Sequence, residues 1–184
     1  GLEPGRWYHY RFMLGQATSA TGRTCTAPAL YALPGRLRVA FASCQRWEHG
    51  HYAAWHHVCN DQPDLVLFLG DYIYEYATPK NTEGLARTHT LRYATTLADY
   101  RDRYALHKSD PALQAAHAAC PWAVTWDDHE VQNDYAGGTN AQADAAAFLT
   151  QRAAAWQAFY ENMPLRATAL AGAQFDRLQV YRSL

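Results

Sequence analysis

Three short stretches of this 184-residue sequence carry side chains that could bind a metal ion, and each directly follows an apolar run. The first stretch holds Cys44, the second holds Asp71 and Tyr74, and the third spans residues 127–133. A carboxylate at the end of a buried apolar run is costly to desolvate unless a cation, a metal ion or a helix N-terminus pairs with it. If the stretches meet, their thiolate, phenolate and carboxylate groups repel one another. A metal ion removes this repulsion, and it lowers the pKa values of a thiol and a phenol so that both can bind as anions.

The donor atoms of these stretches also bear on which metal they would bind. The third stretch offers Asp127, Asp128, His129 and Asn133. Thiolate, phenolate and carboxylate ligands together favour trivalent iron, whereas carboxylate and amide oxygens alone favour Ca2+, Mg2+ or Mn2+. Taken singly, Cys44 is typical of a small buried apolar residue and Tyr74 of a core aromatic. The occurrence of all three stretches after apolar runs favours a metal site over these structural interpretations.

The apolar runs that precede the three stretches are predicted to be parallel strands. The run at 65–69 is continuously apolar, which is typical of a strand buried on both faces. The other two strands are predicted at 37–42 and 122–126, and helices are predicted at 52–60, 96–106 and 111–119. This alternation predicts an α/β fold with a parallel sheet. The carboxyl ends of parallel strands meet at one edge, where such sheets bind their ligands.

The remaining segments are predicted from their periodicity and turn residues. Residues 6–12 alternate apolar with polar side chains like a half-buried strand, 17–22 indicate a turn, and 23–28 indicate an edge strand. Residues 141–162 are rich in Ala and are predicted to be helical. The alternation within 175–184 predicts the start of a further strand.

The composition argues against several classes of protein. Hydrophobic residues make up 49% of the chain, so it can bury a core. The formal net charge of −1 gives no electrostatic basis for binding nucleic acid or an anionic membrane. No apolar run approaches the roughly 20 residues of a membrane span. The four Cys include no C-x-x-C pair, which argues against a structural zinc ribbon, and the pairing of any disulfides stays open.

Four segments of the chain resemble the PhoD-like alkaline phosphatases, a branch of the calcineurin-like metallophosphoesterases. They are residues 42–45 (ASCQ), 70–75 (GDYIYE), 97–117 and 126–133 (WDDHEVQN). The resemblance implies an αββα metallophosphoesterase core, of which residues 36–184 would form the first part. It also implies that residues 1–30 are the last strands of the family's N-terminal Ig/fibronectin-like β-domain.

The resemblance further implies a set of metal ligands. Cys44, Asp71 and Tyr74 would bind an iron ion, and Asp71 would bridge it to a neighbouring ion. Asp128 stands where the wider superfamily has a metal-binding Asn, and Asn133 is an additional candidate ligand. The implied metals are Fe3+ and Ca2+, with Mn2+, Mg2+ and Zn2+ as alternatives.

The resemblance also implies an activity. The implied protein is a metal-dependent alkaline phosphatase. It would hydrolyse small or polymeric phosphate monoesters, and also diesters, by attack of a metal-activated oxygen. His129 stands where the superfamily's His donates to the leaving group or to the phosphoryl oxygens. Arg101 is a weaker candidate for binding substrate phosphate, because its helix position is also typical of a solvated or salt-bridged arginine. A phosphodiesterase or phospholipase D-like preference is an alternative within the same reaction class.

One departure from the family bears on whether this chain is active. The family needs further His and Asp ligands, and nothing after Asn133 supplies that set. We therefore interpret the sequence as a fragment that holds part of a metal site, with a truncated, inactive metal-binding module as the alternative function. Family members are usually exported, which predicts a secreted, periplasmic or cell-surface location.

Overall fold

The computed structural model of the protein describes residues 1–139, 144–166 and 174–181. Four short strands come first, namely β1 (Trp7–Tyr10), β2 (Met13–Leu14), β3 (Ala17–Thr18) and β4 (Gly22–Cys25). They are followed by β5 (Val39–Ala42), α1 (Ala54–Asp61), β6 (Leu65–Phe68), α2 (Leu97–Lys108), α3 (Pro111–Ala119), β7 (Trp122–Val124) and α4 (Ala145–Asn162).

The centre of the structure is a three-stranded parallel sheet with the strand order β5, β6, β7. β5 pairs with β6 from Val39 opposite Leu65 to Ala42 opposite Phe68, and β7 pairs with the other side of β6. α1 connects β5 to β6, and α2 and α3 connect β6 to β7. The predicted α/β fold with a parallel sheet is therefore confirmed. The carboxyl ends of the three strands lie at one edge of this sheet.

The prediction that the run at 65–69 is buried on both faces is wrong. Val66 and Phe68 are fully buried, whereas Leu69 is 50% exposed. Aromatic rings from α1 and β7 pack against Phe68 and cover that face of the sheet. On the neighbouring strand β5, Phe41 is 76% exposed. A continuous apolar run identified the strand but not which of its residues are covered.

Two segments outside the sheet also differ from expectation. The turn predicted at 17–22 contains β3, because the chain reverses earlier, at Gly15, whose φ is +57°. The strand predicted to begin in 175–184 is wrong, since Phe175–Arg177 is a 3₁₀ helix. Leu178 is the buried residue of this segment. A single buried residue is compatible with the periodicity of a helix as well as with that of a strand. Residues 182–184 lie outside the described part of the chain.

The predicted helices are confirmed, and capping side chains fix where they begin. Thr96 accepts the N–H of Asp99 while Asp99 accepts the N–H of Thr96, so α2 begins with a capping box. Asp110 caps α3, which has proline in its first turn. Asp144 caps α4, later than the predicted start, and residues 140–143 are outside the described residues.

Two observations concern membranes and disulfides. Among the helices that the structure describes, none is long and apolar enough to cross a membrane. The four cysteines are unpaired in the structure.

Two histidines on α2 and α3 are kept neutral by burial. His107 is fully buried, and its Nδ1 bonds the carbonyl of Arg103 at 2.9 Å. His117 is partly buried, and its Nε2 bonds the hydroxyl of Tyr72 at 2.8 Å. Burial lowers the pKa of each ring to about 3, and the positive charge of Lys108 adds to this effect at His117.

We expect these histidines to make the protein lose stability in mild acid. In the unfolded chain each ring titrates near pH 6.5, so below about that pH the unfolded state takes up protons that the folded state does not. This contribution to the free energy of unfolding is complete above about pH 6.5 and is lost progressively toward about pH 3. At about pH 5 the loss is about 1 to 2 kcal/mol per histidine.

Urea unfolding at about pH 7.5 and about pH 5 measures this loss. The His107→Gln variant should show a smaller pH dependence than the wild type. His56→Gln is the matched control, because His56 is exposed, and it should behave like the wild type. An identical pH dependence in all three proteins would contradict the prediction.

Candidate metal centre

Backbone hydrogen bonds tie the carboxyl ends of β5 and β6 together beyond the sheet. The N–H of Cys44 donates to the Gly70 carbonyl, and the N–H of Gln45 donates to the Asp71 carbonyl, each at 3.1 Å. Cys44 and Asp71 both have a left-handed backbone, with φ of +59° and +56°. This conformation is uncommon outside glycine and is enriched at functional sites. It turns the chain sharply at two residues that are predicted to bind metal.

Gly70 brings the carboxyl end of β6 against that of β7. Its φ of +107° is readily accessible only to glycine. A Cβ at this position would lie 2.5 Å from both the Cβ and the backbone N of Asp127. The absence of a side chain therefore lets the residue that follows, Asp71, approach the 127–133 segment.

We expect Gly70→Ala to destabilise the protein by roughly 3 kcal/mol or more, because alanine meets both an unfavourable φ and a backbone clash. Gly84→Ala is the matched control: its φ is also positive, at +78°, but an added Cβ would meet nothing within 4 Å. We expect that control substitution to lower the free energy of unfolding by only about 1 kcal/mol. Urea unfolding measures both losses, and equal values would show that the close approach to Asp127 does not matter.

Glu130 connects the ends of β6 and β7 through hydrogen bonds to their backbone N–H groups. Its side chain is fully buried and accepts the N–H groups of Asp71 at 3.0 Å, Tyr72 at 2.5 Å and Asp127 at 2.8 Å. Burial raises the pKa of this carboxyl group to about 7, although the three N–H donors act in the opposite direction. No role for Glu130 is predicted from the sequence, where its place in the D-D-H-E run is the one signal for it.

Three of the predicted site residues meet at this edge of the sheet. Asp71, Asp128 and His129 each place a potential ligand atom within 4.8 Å of the other two. Asp71 is buried, and its Oδ1 has no hydrogen-bond partner, while its Oδ2 accepts the hydroxyl of Tyr74 at 3.0 Å. A buried carboxylate oxygen without a partner is costly, and a bound cation would remove that cost. The residues present therefore fit a metal ion.

Tyr74 and Cys44 adjoin this cluster. Burial raises the pKa of the Tyr74 hydroxyl, and the charges and hydrogen bonds of Asp71 and Cys44 raise it further. Without a cation the phenol therefore keeps its proton, and a metal that binds Tyr74 as phenolate must displace that proton. Cys44 is exposed at the edge of the sheet, so its thiol is accessible to an incoming ion.

Glu75 orients the imidazole ring of His129. The Nδ1 of His129 lies 2.8 Å from Oε2 of the fully buried Glu75, which leaves Nε2, on the other side of the ring, for the cluster. The other oxygen of Glu75 accepts the N–H of Asn133 at 2.9 Å and the hydroxyl of Tyr93 at 3.3 Å. Burial alone would lower the pKa of His129, but the hydrogen bond and charge of Glu75, with those of the nearby aspartates, raise it above its usual value.

Two of the predicted site residues are engaged elsewhere. Asn133 is exposed, and its side-chain amide donates to Asp134 at 2.7 Å, so only its backbone N–H contributes here, by donating to Glu75. Arg101 forms a two-point ion pair with Glu161 of α4, at 2.6 and 2.7 Å. The structure therefore favours the salt-bridged interpretation of Arg101 over contact with a substrate phosphate.

A different arginine, Arg46, lies near the site. Its guanidinium is 5.9 Å from the ring centre of Tyr74 and 5.3 Å from that of Tyr76. Its Nε pairs with Glu48 at 3.3 Å. Arg46 is not among the residues predicted from the sequence, although its position two residues after Cys44 was a usable signal.

Three comparisons with known proteins bear on this site. The model of the family described as PhoD-like phosphatase matches residues 39–184. Alkaline phosphatase D of Bacillus subtilis (strain 168) is 48% identical over 185 residues, which cover 99% of this chain and 31% of that protein. A solved structure titled "Structure of PhoD" matches with a TM-score of 0.93 at 48% identity, and the match covers 99% of this chain and 35% of that one. The chain thus spans about a third of the length of these relatives.

Proposed function

Because the chain belongs to the PhoD-like phosphatase family, we propose that it forms part of a metal-dependent phosphatase that hydrolyses phosphate monoesters. The observation that carries this proposal is the cluster of Asp71, Asp128 and His129, in which a buried carboxylate oxygen has no partner. The name of the 48% identical relative, alkaline phosphatase D, supports the reaction class. The substrates would be phosphate esters of small or polymeric alcohols.

The proposed ligands fall into two groups around Asp71. Cys44, Asp71 and Tyr74 would hold Fe3+, since thiolate and phenolate donors favour trivalent iron. Asp71, Asp128 and Asn133 would hold Ca2+, for which Asn133 must turn its amide away from Asp134. Bound metals would supply positive charge for the phosphoryl oxygens and for the attacking water.

The side chains of this chain have proposed roles in proton transfer and phosphate binding. His129 would donate a proton from Nε2 to the leaving oxygen, because Glu75 occupies Nδ1 and stabilises the imidazolium form. The raised pKa of His129 keeps that proton available toward higher pH. Arg46 is the proposed contact for a phosphate oxygen in place of Arg101.

We extend the proposal to the domain organisation and location of the protein. Residues 36–184 would form the first part of an αββα core, and the antiparallel strand pairs within residues 1–30 would end an Ig-like β-domain. The remaining metal ligands would lie in the part of the family's length that this chain does not span. The resemblance to an exported family supports a secreted, periplasmic or cell-surface location.

An inactive metal-binding module is the second candidate function. It is favoured by the 31% share of the relative that this chain covers, because the visible ligands then make up only part of a site. We expect hydrolysis by this chain to be slower than that of the longer relatives for the same reason.

Metal content and hydrolysis should be measured on the same sample. After exposure to Fe3+ and Ca2+, we expect the protein to retain metal in elemental analysis and to hydrolyse 4-nitrophenyl phosphate faster than the metal-free protein does. Parallel assays with bis(4-nitrophenyl) phosphate distinguish a monoesterase from a phosphodiesterase. Metal uptake without hydrolysis would favour the binding module, and the absence of both would overturn the proposal.

A further inference from the structure

A groove of about 490 Å³ lies between the N-terminal strands and the helices α2 and α3. Its volume is within the range of small-molecule sites. Tyr10 and Phe12 line it on the strand side, and Lys108 and His117 line it on the helix side. None of the proposed metal ligands is among the residues that line it, so the groove is separate from the metal centre.

Lys108 has no counter-ion in this groove. No carboxylate is among the described residues that line it, and the Lys108 amine instead lies 5.7 Å from the ring centre of Tyr72. Burial lowers the pKa of this amine to about 8, so at neutral pH it is still mostly charged. A partly buried ammonium group without an anionic partner is costly, and an anion in the groove would remove that cost.

The neighbouring polar group does not change this charge balance. His117 bonds the hydroxyl of Tyr72 through Nε2, and burial lowers its pKa to about 3, so the ring is neutral. The charge that faces the groove is therefore that of a single ammonium group. A monoanion matches it better than a dianion does.

The strand side of the groove offers aromatic surface. Tyr10 is 39% exposed and Phe12 is 72% exposed, and their rings pack edge to face with centres 5.7 Å apart. A Cβ at Gly22 would lie 2.5 Å from the Tyr10 ring, so glycine leaves room for that ring against β4. Exposed aromatic rings of this kind are suited to a flat apolar ligand.

We propose that this groove binds a small aromatic carboxylate, with its anionic group against Lys108 and its flat apolar body against Tyr10 and Phe12. The ammonium charge accounts for the anionic group, and the aromatic wall accounts for the apolar body. This site does not depend on the proposed phosphatase activity, because it shares no lining residue with the metal centre.

Calorimetric titration with 2-naphthoate and with its neutral analogue 2-naphthamide tests the proposal. We expect the wild type to bind 2-naphthoate at least about 10-fold more tightly than 2-naphthamide, because a charge-assisted contact contributes more than about 1.4 kcal/mol. Lys108→Met keeps the apolar stem and should remove this preference. Lys80→Met is the matched control, because Lys80 is the other lysine of the chain and is exposed.

A second variant keeps the test independent of the lysine. Phe12→Ala should weaken binding of both compounds, because it removes aromatic surface that they share, and Phe12 is exposed enough to be replaced without loss of the fold. Equal affinity of the wild type for the two compounds would overturn the proposal. So would an unchanged preference in Lys108→Met.

Discussion

The Asp71→Asn variant is expected to bind metal more than about 100-fold more weakly than the wild type and still to fold. Asp71 places a potential ligand atom within 4.8 Å of those of Asp128 and His129, and its Oδ2 accepts the hydroxyl of Tyr74. An amide at this position carries no charge, so it would hold a metal cation less tightly than a carboxylate does. We expect hydrolysis to fall with metal content.

The same substitution should not destabilise the metal-free protein. The Oδ1 of Asp71 is buried without a partner, and Asn removes that uncompensated charge while it can still accept the Tyr74 hydroxyl. Removal of the buried charge offsets the cost of the partnerless NH₂ group that takes the place of Oδ1, so we expect the free energy of unfolding to change by less than about 1 kcal/mol. Metal should make the wild type the more stable protein, because a ligand at about 100 times its Kd stabilises the wild type by about 2.7 kcal/mol, whereas the same concentration stabilises a variant with about 100-fold weaker binding by only about 0.4 kcal/mol.

Urea unfolding with and without metal, together with calorimetric metal titration, measures both effects. Asp102→Asn is the matched control, since Asp102 is exposed on α2, and it should behave like the wild type in both experiments. If metal stabilised Asp71→Asn as much as the wild type, Asp71 would not be a ligand.

The sequence was sufficient to bring three of the predicted site residues together because the sheet is parallel. Asp71 follows β6, and Asp128 and His129 follow β7, so the shared direction of the strands brings them to one edge. That inference requires only strand order and direction. It does not require any side-chain detail. The three residues therefore meet as expected, although the burial predicted for Leu69 was wrong.

The features that could not be predicted depend on contacts between distant residues. Glu130 braces the site through backbone N–H groups that point inward only once β6 and β7 are side by side. The engagement of Arg101 depends on Glu161, which lies on a helix 60 residues later in the chain. Local periodicity carries no information about either contact, because both are set by how the elements pack.

The second large effect is expected for Glu75→Gln, because this variant should reverse which nitrogen of His129 carries the proton. In the wild type one oxygen of Glu75 faces Nδ1 of His129 and the other accepts the N–H of Asn133. Gln has one oxygen and one NH₂ group. If its NH₂ faced Asn133, two donors would meet across 2.9 Å, so the oxygen must stay there and the NH₂ must face His129.

An NH₂ group opposite Nδ1 requires that nitrogen to accept a hydrogen bond, so the neutral ring carries its proton on Nε2 instead. Loss of the carboxylate also removes the charge and the hydrogen bond that raise the pKa of His129, so the imidazolium form becomes harder to reach. We expect kcat of the metal-loaded protein to fall by about 100-fold or more, because the proposed proton donor is then held in the wrong form. The alkaline limb of the pH profile should move to lower pH.

Nitrogen-15 NMR of the ring separates this positioning role from a merely structural one, because it reports the tautomer without any assay of activity. At a pH above the pKa of His129, the wild type should show the Nδ1–H form and Glu75→Gln the Nε2–H form. Glu83→Gln is the matched control, since Glu83 is exposed, and it should keep the wild-type tautomer. If Glu75→Gln lost activity while His129 kept its Nδ1–H form, Glu75 would act by supporting the fold of the 75–93 segment and not by orienting the ring of the proposed proton donor.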